Sequence, residues 1–194
     1  MINCMIAGVG GQGTVLASKL IAAAAIDMGL PVRTTETIGM AQRGGSVVSH
    51  IRMGEGAYSP LIPKKSADLI IAFEPAEGVR LLPFMAPDGM MIACDRAVKP
   101  TTDALSGSSY QAKTMTDFLK AHVPNLVIID GEKLVAETSA RALNVALLGA
   151  AVESGKLGIE ANAIEAVIES RIPERFRAMN MAAFQAGRRS YHEQ

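Results

Sequence analysis

Short apolar runs alternate along the chain with longer amphipathic stretches. In residues 46–53, for example, Val47, Ser49, Ile51 and Met53 share one face, as in a half-buried strand. Other runs are continuously apolar, which is typical of strands buried on both faces in a parallel sheet. Strands are predicted at residues 2–7, 31–37, 46–53, 67–75, 89–95 and 126–130.

The stretches between these runs have helical spacing. Leu16, Leu20 and Ala24 recur every four residues, and Gly29 provides a stop. Helices are predicted at residues 14–28, 75–86, 111–122, 132–154, 160–171 and 174–187. Strands that alternate with helices predict an α/β fold: a doubly wound, mostly parallel open sheet of Rossmann-like type with a helical C-terminal part. With no linker long enough to divide it, the whole of residues 1–194 is expected to form a single domain.

A glycine turn follows the first predicted strand. Gly8, Gly10 and Gly13 have the spacing G-x-G-x-x-G at a strand-to-helix junction, where backbone amides and the helix dipole favour an anion. A dinucleotide site would also need an acidic residue at the end of the second strand to hold the ribose; Arg33 lies there instead, and Glu36 follows. The turn therefore has two interpretations, an anion-binding loop or an unliganded tight turn that packs helix against strand.

A second glycine cluster, "TETIGMAQRGGSVVSH", lies between two predicted strands. Gln42 and Arg43 are flanked by Gly39, Gly44 and Gly45. Because this segment follows the second strand, a parallel arrangement places it on the same carboxyl edge as the glycine turn, where open α/β sheets bind ligands. The alternative is an ordinary hairpin with a solvated arginine.

Composition narrows the function. The 194 residues contain 19 basic and 19 acidic side chains, and a chain with this charge balance is not expected to bind nucleic acid or anionic lipid. Cys4 and Cys94 lie in apolar runs without a C-x-x-C motif, so no metal or iron–sulfur site is predicted. Without a signal-peptide pattern or an apolar run of about 20 residues, the protein is expected to be cytoplasmic, with no membrane partner.

Catalytic machinery is sparse in the sequence. His50, His122 and His192 are scattered, and no residue forms a recognisable acid–base or nucleophile motif. The Asp-Gly pairs at Asp88 and Asp130 are not preceded by glycine, so the Gly-Asp-Gly entry of a thiamine diphosphate site is missing. The chain therefore has the character of a module that completes another protein's site.

Several segments, in order, carry a family resemblance: "GVGGQGTVLASKLIAAAAIDMGL", "TETIGMAQRGGSVVSHIRMG", "SADLIIAFEP", "NVALLGAAVESGKLGI" and "IPERFRAMNMAAFQAG". They resemble the gamma subunit or domain of thiamine-dependent 2-oxoacid:ferredoxin oxidoreductases, and most of all the small (beta) subunit of the indolepyruvate branch. The resemblance implies oxidative decarboxylation of a 2-oxo acid with coenzyme A to an acyl-CoA. It also implies a large (alpha) partner subunit that holds thiamine diphosphate and the iron–sulfur clusters and passes electrons to ferredoxin, with no cofactor bound by this chain alone.

The resemblance also marks residues expected near the substrate, coenzyme A or the partner. No catalytic residue is among them. Two other functions stay open on the residues alone: a free-standing NAD(P)-binding oxidoreductase and a ligand-binding module. An isolated chain could form a homodimer through a surface built for a partner. The expected site residues are Gly10, Gly11, Gln12, Gly13, Glu36, Gln42, Arg43, Gly44, Gly45 and Ser46.

Overall fold

A computed structural model describes residues 1–38, 44–98 and 110–193. It contains a six-stranded sheet with the order β2-β3-β1-β4-β5-β6. The strands are β1 Ile2–Val9, β2 Val32–Ile38, β3 Ser46–Met53, β4 Ala67–Ala72, β5 Met85–Cys94 and β6 Leu126–Ile129.

Strand β3 is antiparallel to both of its neighbours, whereas β1, β4, β5 and β6 pair in parallel. The prediction of a mostly parallel sheet is confirmed. β2 and β3 form an antiparallel pair, and β3 lies between β2 and β1. The carboxyl ends of the parallel strands therefore share one edge with the beginning of β3.

Helices cover both faces of the sheet, as the doubly wound prediction requires. One core packs against the long C-terminal helices and includes Ile6, Ile71 and Phe184; the other includes Met5, Ile70 and Leu119. In the described residues the helices are α1 Thr14–Asp27, α2 Pro75–Leu81, α3 Ala112–His122, α4 Gly131–Glu137, α5 Leu143–Glu153, α6 Ala161–Arg171 and α7 Glu174–Tyr191. None of these helices is long and apolar enough to span a membrane.

The helix predicted at 174–187 extends to Tyr191, and two other predicted helices differ more from the structure. The single helix predicted at 132–154 is wrong: α4 ends at Glu137, a short 3₁₀ helix spans Ala140–Ala142, and α5 begins at Leu143. The side chain of Ser139 accepts a hydrogen bond from the Arg141 amide and so caps a new helical start. The predicted helix 75–86 is also shorter, because a 3₁₀ turn at Leu82–Phe84 leads into β5 four residues before the predicted start of that strand.

Helices α5 and α7 pack at very close range. A Cβ on Gly187 would lie 1.7 Å from the carbonyl oxygen of Ala146, and one on Gly149 would lie 2.1 Å from the carbonyl oxygen of Phe184. Both glycines thus occupy places that no larger residue fits. The contact holds α5, whose residues Leu143–Val152 are all buried, between the sheet and α7.

Candidate functional site

Gly10 of the first glycine loop and Gly45 of the second cluster meet at the carboxyl edge of the sheet. The amide of Gly10 donates a 2.9 Å hydrogen bond to the carbonyl oxygen of Gly45. This contact extends the β1–β3 ladder, in which Val9 pairs with Ser46. The exit of the first strand and the entry of the third are therefore adjacent, as the sequence predicts for two loops on one edge.

Within the first loop, Gly11 and Gly13 both have positive φ angles, of 100° and 80°. Gly13 precedes α1, and its missing Cβ leaves room for Asn144, whose Nδ2 donates to the Gly13 carbonyl at 3.2 Å. The close approach at Gly13 is thus to α5, and not to the strand as the motif predicts. The tight contact between β1 and the start of α1 is instead at Gly8, where a Cβ would lie 2.9 Å from side-chain atoms of both Gln12 and Thr14.

The side chain of Gln12 joins two strand ends. Its Oε1 accepts from the Val9 amide at 2.7 Å, and its Nε2 donates to the Phe73 carbonyl at 3.0 Å. Both ends of this amide are therefore engaged by the protein's own backbone. The contacts make Gln12 a fixed support of the turn, and its own backbone amide also donates to the carbonyl oxygen of Val9 at 3.0 Å.

Two buried carboxylates lie behind the glycine loops, on the first turn of α2. Glu74 caps this helix by accepting from the amides of Ala76 and Glu77 at 2.8 and 3.2 Å. The other oxygen of Glu74 accepts from the Tyr110 hydroxyl, and Glu77 accepts from the Ser46 hydroxyl. The first turn of α2 therefore binds Ser46, at the start of β3, and Tyr110, just before α3.

Burial shapes the electrostatics of this cluster. Glu74 is 2% exposed, and the loss of water raises the pKa of its carboxyl group, partly offset by its hydrogen bonds. Burial and the neighbouring Glu74 also raise the pKa of Tyr110. Sequence analysis missed Glu74 and Glu77, because glutamate is not a favoured N-cap; the available signal was Glu-Pro directly after a strand, with a second glutamate at the third helical position.

The remaining predicted site residues fall into two groups. Gln42 and Arg43 lie outside the described residues, and Gly44 is exposed at their carboxyl side. Glu36 is exposed on the edge strand β2, separated from β1 by β3. Two strand spacings amount to about 9.5 Å, so Glu36 and Arg33 are displaced from the place where a Rossmann site holds the ribose. This geometry disfavours the NAD(P) alternative.

A small pocket of about 140 Å³ opens beside the first loop. It lies between the loop and α5 and is lined by Gly11, Gln12, Phe73, Arg96, Val98, Ala140, Leu143 and Asn144. Arg96 is held by Glu132 at 2.9 Å. A pocket of this size takes a small polar group rather than a whole nucleotide, for which volumes of roughly 300 Å³ or more are usual.

The cysteines are buried on separate strands, β1 and β5. Burial raises the pKa of both thiols, that of Cys94 to about 12, so they are neutral packing residues. Across residues 1–38, 44–98 and 110–193 no three His, Cys, Asp or Glu side chains gather into a metal site.

Comparison with known proteins gives consistent matches over the whole chain. The family model described as pyruvate ferredoxin/flavodoxin oxidoreductase matches residues 3–190. Indolepyruvate oxidoreductase subunit IorB of Pyrococcus horikoshii is 31% identical over 188 residues, covering 95% of this chain and 93% of that protein.

Solved structures share the fold at lower identity. The gamma subunit of a keto/oxoacid ferredoxin oxidoreductase from Geobacter sulfurreducens superimposes with a TM-score of 0.71 at 20% identity, over 100% of both chains. The 2-oxoglutarate:ferredoxin oxidoreductase of Magnetococcus marinus, solved with 2-oxoglutarate, coenzyme A and succinyl-CoA, matches with a TM-score of 0.74 at 21% identity. There, all of this chain corresponds to 31% of a longer polypeptide.

Proposed function

Because the chain belongs to the pyruvate ferredoxin/flavodoxin oxidoreductase family, we propose that it is the small subunit of a ferredoxin-dependent oxidoreductase for indolepyruvate or a related arylpyruvate. The reaction cleaves the bond between the 2-oxo carbon and the carboxylate, releases carbon dioxide and joins the acyl group to the sulfur of coenzyme A. The electron pair that this oxidation frees passes to ferredoxin. The near full-length match to the IorB subunit carries the substrate assignment.

The cofactors of this reaction belong on a large partner subunit. The chain has only two cysteines, both buried, and neither is presented as a cluster ligand. It also lacks the Gly-Asp-Gly entry of a thiamine diphosphate site. The donor set of this chain therefore does not fit either group, and the partner has to supply both.

This chain's own contribution is a binding edge. Free backbone amides at the start of α1 and the Arg43 guanidinium suit a carboxylate or a phosphate, such as those of the 2-oxo acid and coenzyme A. The Gly10–Gly45 hydrogen bond joins the exit of β1 to the residue before β3, and the Ser46–Glu77 hydrogen bond fixes the start of β3 against α2. Substrate binding and orientation, rather than proton transfer, are the roles these groups can perform.

Reconstitution tests the proposal. The chain is co-expressed with the large thiamine-binding subunit of its source organism, and ferredoxin reduction is followed with indolepyruvate, pyruvate and 2-oxoglutarate, each with coenzyme A. We expect activity only when both chains are present, with indolepyruvate the best substrate. Activity of the large chain alone at the same rate would refute the subunit role.

A matched pair of arginine variants tests the binding edge. Arg43→Ala is expected to raise the KM for the 2-oxo acid or coenzyme A by about tenfold, the value of one charge-assisted hydrogen bond of roughly 1.4 kcal/mol. Arg33→Ala removes an exposed guanidinium from β2 that donates a hydrogen bond to the carbonyl of Val32. Equal kinetics for the two variants would remove Arg43 from the site.

A further inference from the structure

An apolar groove runs along the outer face of α1 and reaches the beginning of α7. One part is lined mainly by α1 and has a volume of about 400 Å³; the other lies at the α6–α7 junction and has about 270 Å³. Leu16 and Arg171 line both parts, so the groove is continuous. Its apolar lining consists of Leu16, Leu20, Ala22, Ala23, Ile26, Ile172, Pro173, Phe176 and Met179.

The groove leaves large apolar side chains in water. Ile26 is 59% exposed and Leu16 is 40% exposed, although the four-residue spacing of Leu16, Leu20 and Ala24 predicts one buried stripe. A helix that is apolar on its outer as well as its inner face is normally covered on both. The outer face of α1 thus has the character of a contact surface.

The charges along the groove all have one sign. Lys19, Arg141 and Arg171 line it, and no acidic residue is among the described residues that do. Within the described residues none of the three cations has a carboxylate within 4.0 Å, whereas Arg188, for example, pairs with Glu153 at 2.7 Å. An occupant of this groove would therefore bring apolar side chains together with negative charge.

We propose that the groove binds an amphipathic helix of the large partner subunit, with an apolar ridge flanked by Asp or Glu side chains. The stretch from Leu16 to Ile26 is about 15 Å long at 1.5 Å per residue, which suits about three turns of a docked helix. Leu16 stands three residues after Gly13, so the groove begins beside the glycine loops. A partner anchored there is held next to the edge at which the proposed function requires it, and the inference rests on that function.

A second copy of this chain fits the groove less well. Two copies related by a two-fold axis would set Lys19, Arg141 and Arg171 of one against the same cations of the other. Like charges facing each other across an interface repel and weaken binding. The charge pattern therefore favours a different, acidic partner.

Binding of purified proteins tests the surface. The probe is the source organism's large thiamine-binding subunit, and its dissociation constant for this chain is measured by calorimetry in low and high salt. Arg141→Glu/Arg171→Glu is expected to raise the dissociation constant by at least ~30-fold in low salt and by less in high salt. Ile26→Ser, which removes an exposed apolar contact, is expected to weaken binding at both salt concentrations.

A charge-matched control distinguishes the effect of the groove residues on binding from the effect of net charge. Arg33→Glu/Lys120→Glu makes the same change of charge at exposed positions on β2 and α3, and it should alter the dissociation constant by less than about twofold. Melting temperatures establish that each variant is folded; all substituted side chains are exposed.

The outcomes are distinguishable. Tight binding by the wild type with no loss in the groove variants would overturn the groove as the docking surface while leaving the proposed function standing. No binding by the wild type would overturn the proposed function, and the groove assignment with it. A wild-type homodimer that Arg141→Glu/Arg171→Glu dissociates would identify a second copy as the occupant and refute the acidic helix.

Discussion

Replacing Gly187 by alanine sets helix propensity against packing. In an open helix the change would stabilise the protein by about 1 kcal/mol, because alanine is the better helix former. In α7 the new methyl group would stand 1.7 Å from the Ala146 carbonyl oxygen, well inside the 3.0 Å that real Cβ contacts respect. The obstacle is backbone, so a rotamer change cannot relieve it.

The helices must therefore separate by more than an ångström at their closest point. That movement loosens α5, every residue of which from Leu143 to Val152 is buried. Overpacking a well-filled core costs about 1–3 kcal/mol, and more where backbone has to move. After the gain in propensity is deducted, we expect Gly187→Ala to lower the free energy of unfolding by about 2 kcal/mol, a large part of the 5–15 kcal/mol typical of a domain.

Urea denaturation followed by circular dichroism measures this change. The matched control is Ala178→Gly, at an exposed position of the same helix, which should cost about 1 kcal/mol from propensity alone. The two exchanges run in opposite chemical directions, yet both are expected to destabilise. A Gly187→Ala variant more stable than the wild type would show that α5 and α7 do not pack at this distance.

Three further expectations concern the sheet and its carboxyl edge. Gln12→Ala should cost about 1–3 kcal/mol by leaving the amide of Val9 and the carbonyl of Phe73 unpaired. Gln12→Glu, which still accepts from Val9 but sets a second acceptor oxygen against the Phe73 carbonyl, should also lower the free energy of unfolding in the same denaturation assay. Burial lowers the pKa of His50 below 6.5, so the unfolded chain binds more protons than the folded one near that pH. The free energy of unfolding should therefore fall as the pH drops from 7.5 to 5.5, and His50→Asn should make that decrease smaller. Burial raises the pKa of Glu74 above 4.5. The free energy of unfolding should therefore decrease as the pH rises from 4.5 through the pKa of the folded state. A Glu74→Gln variant that kept the same decrease would contradict this assignment.

Local pattern was enough to predict the strands and the class of fold. Alternation predicts a strand with one buried face, and the continuously apolar runs at 67–75 and 126–130 predict strands covered on both faces. The structure has strands there at Ala67–Ala72 and Leu126–Ile129, the first three residues shorter than predicted. Periodicity does not report which strands are neighbours, so the placement of β3 between β1 and β2 could not be read from it. Periodicity also failed to predict the break in the helix near Ser139. The sequence pattern there is helical, but the Ser139 side chain caps a new helical start.

The candidate site was predicted in part. Glycine spacing indicated the loops, since positive φ at Gly11 and Gly13 demands that residue type. The supports of the loops were not visible, because Asn144 and Glu77 approach from helices distant in sequence. Long-range contacts of this kind depend on tertiary packing, and a single sequence carries no local mark of them.

The antiparallel pairing of β2 with β3 has a consequence for how such proteins diversify. Residues 39–45 link the end of β2 to the start of β3, and the paired register from Val32 to Ile38 is set without them. New side chains, or a longer connection, can therefore be introduced between these two strands while their pairing is kept. Because the proposed function assigns substrate or coenzyme A contacts to this connection, exchanging its residues is expected to change substrate preference while the order of the strands is kept.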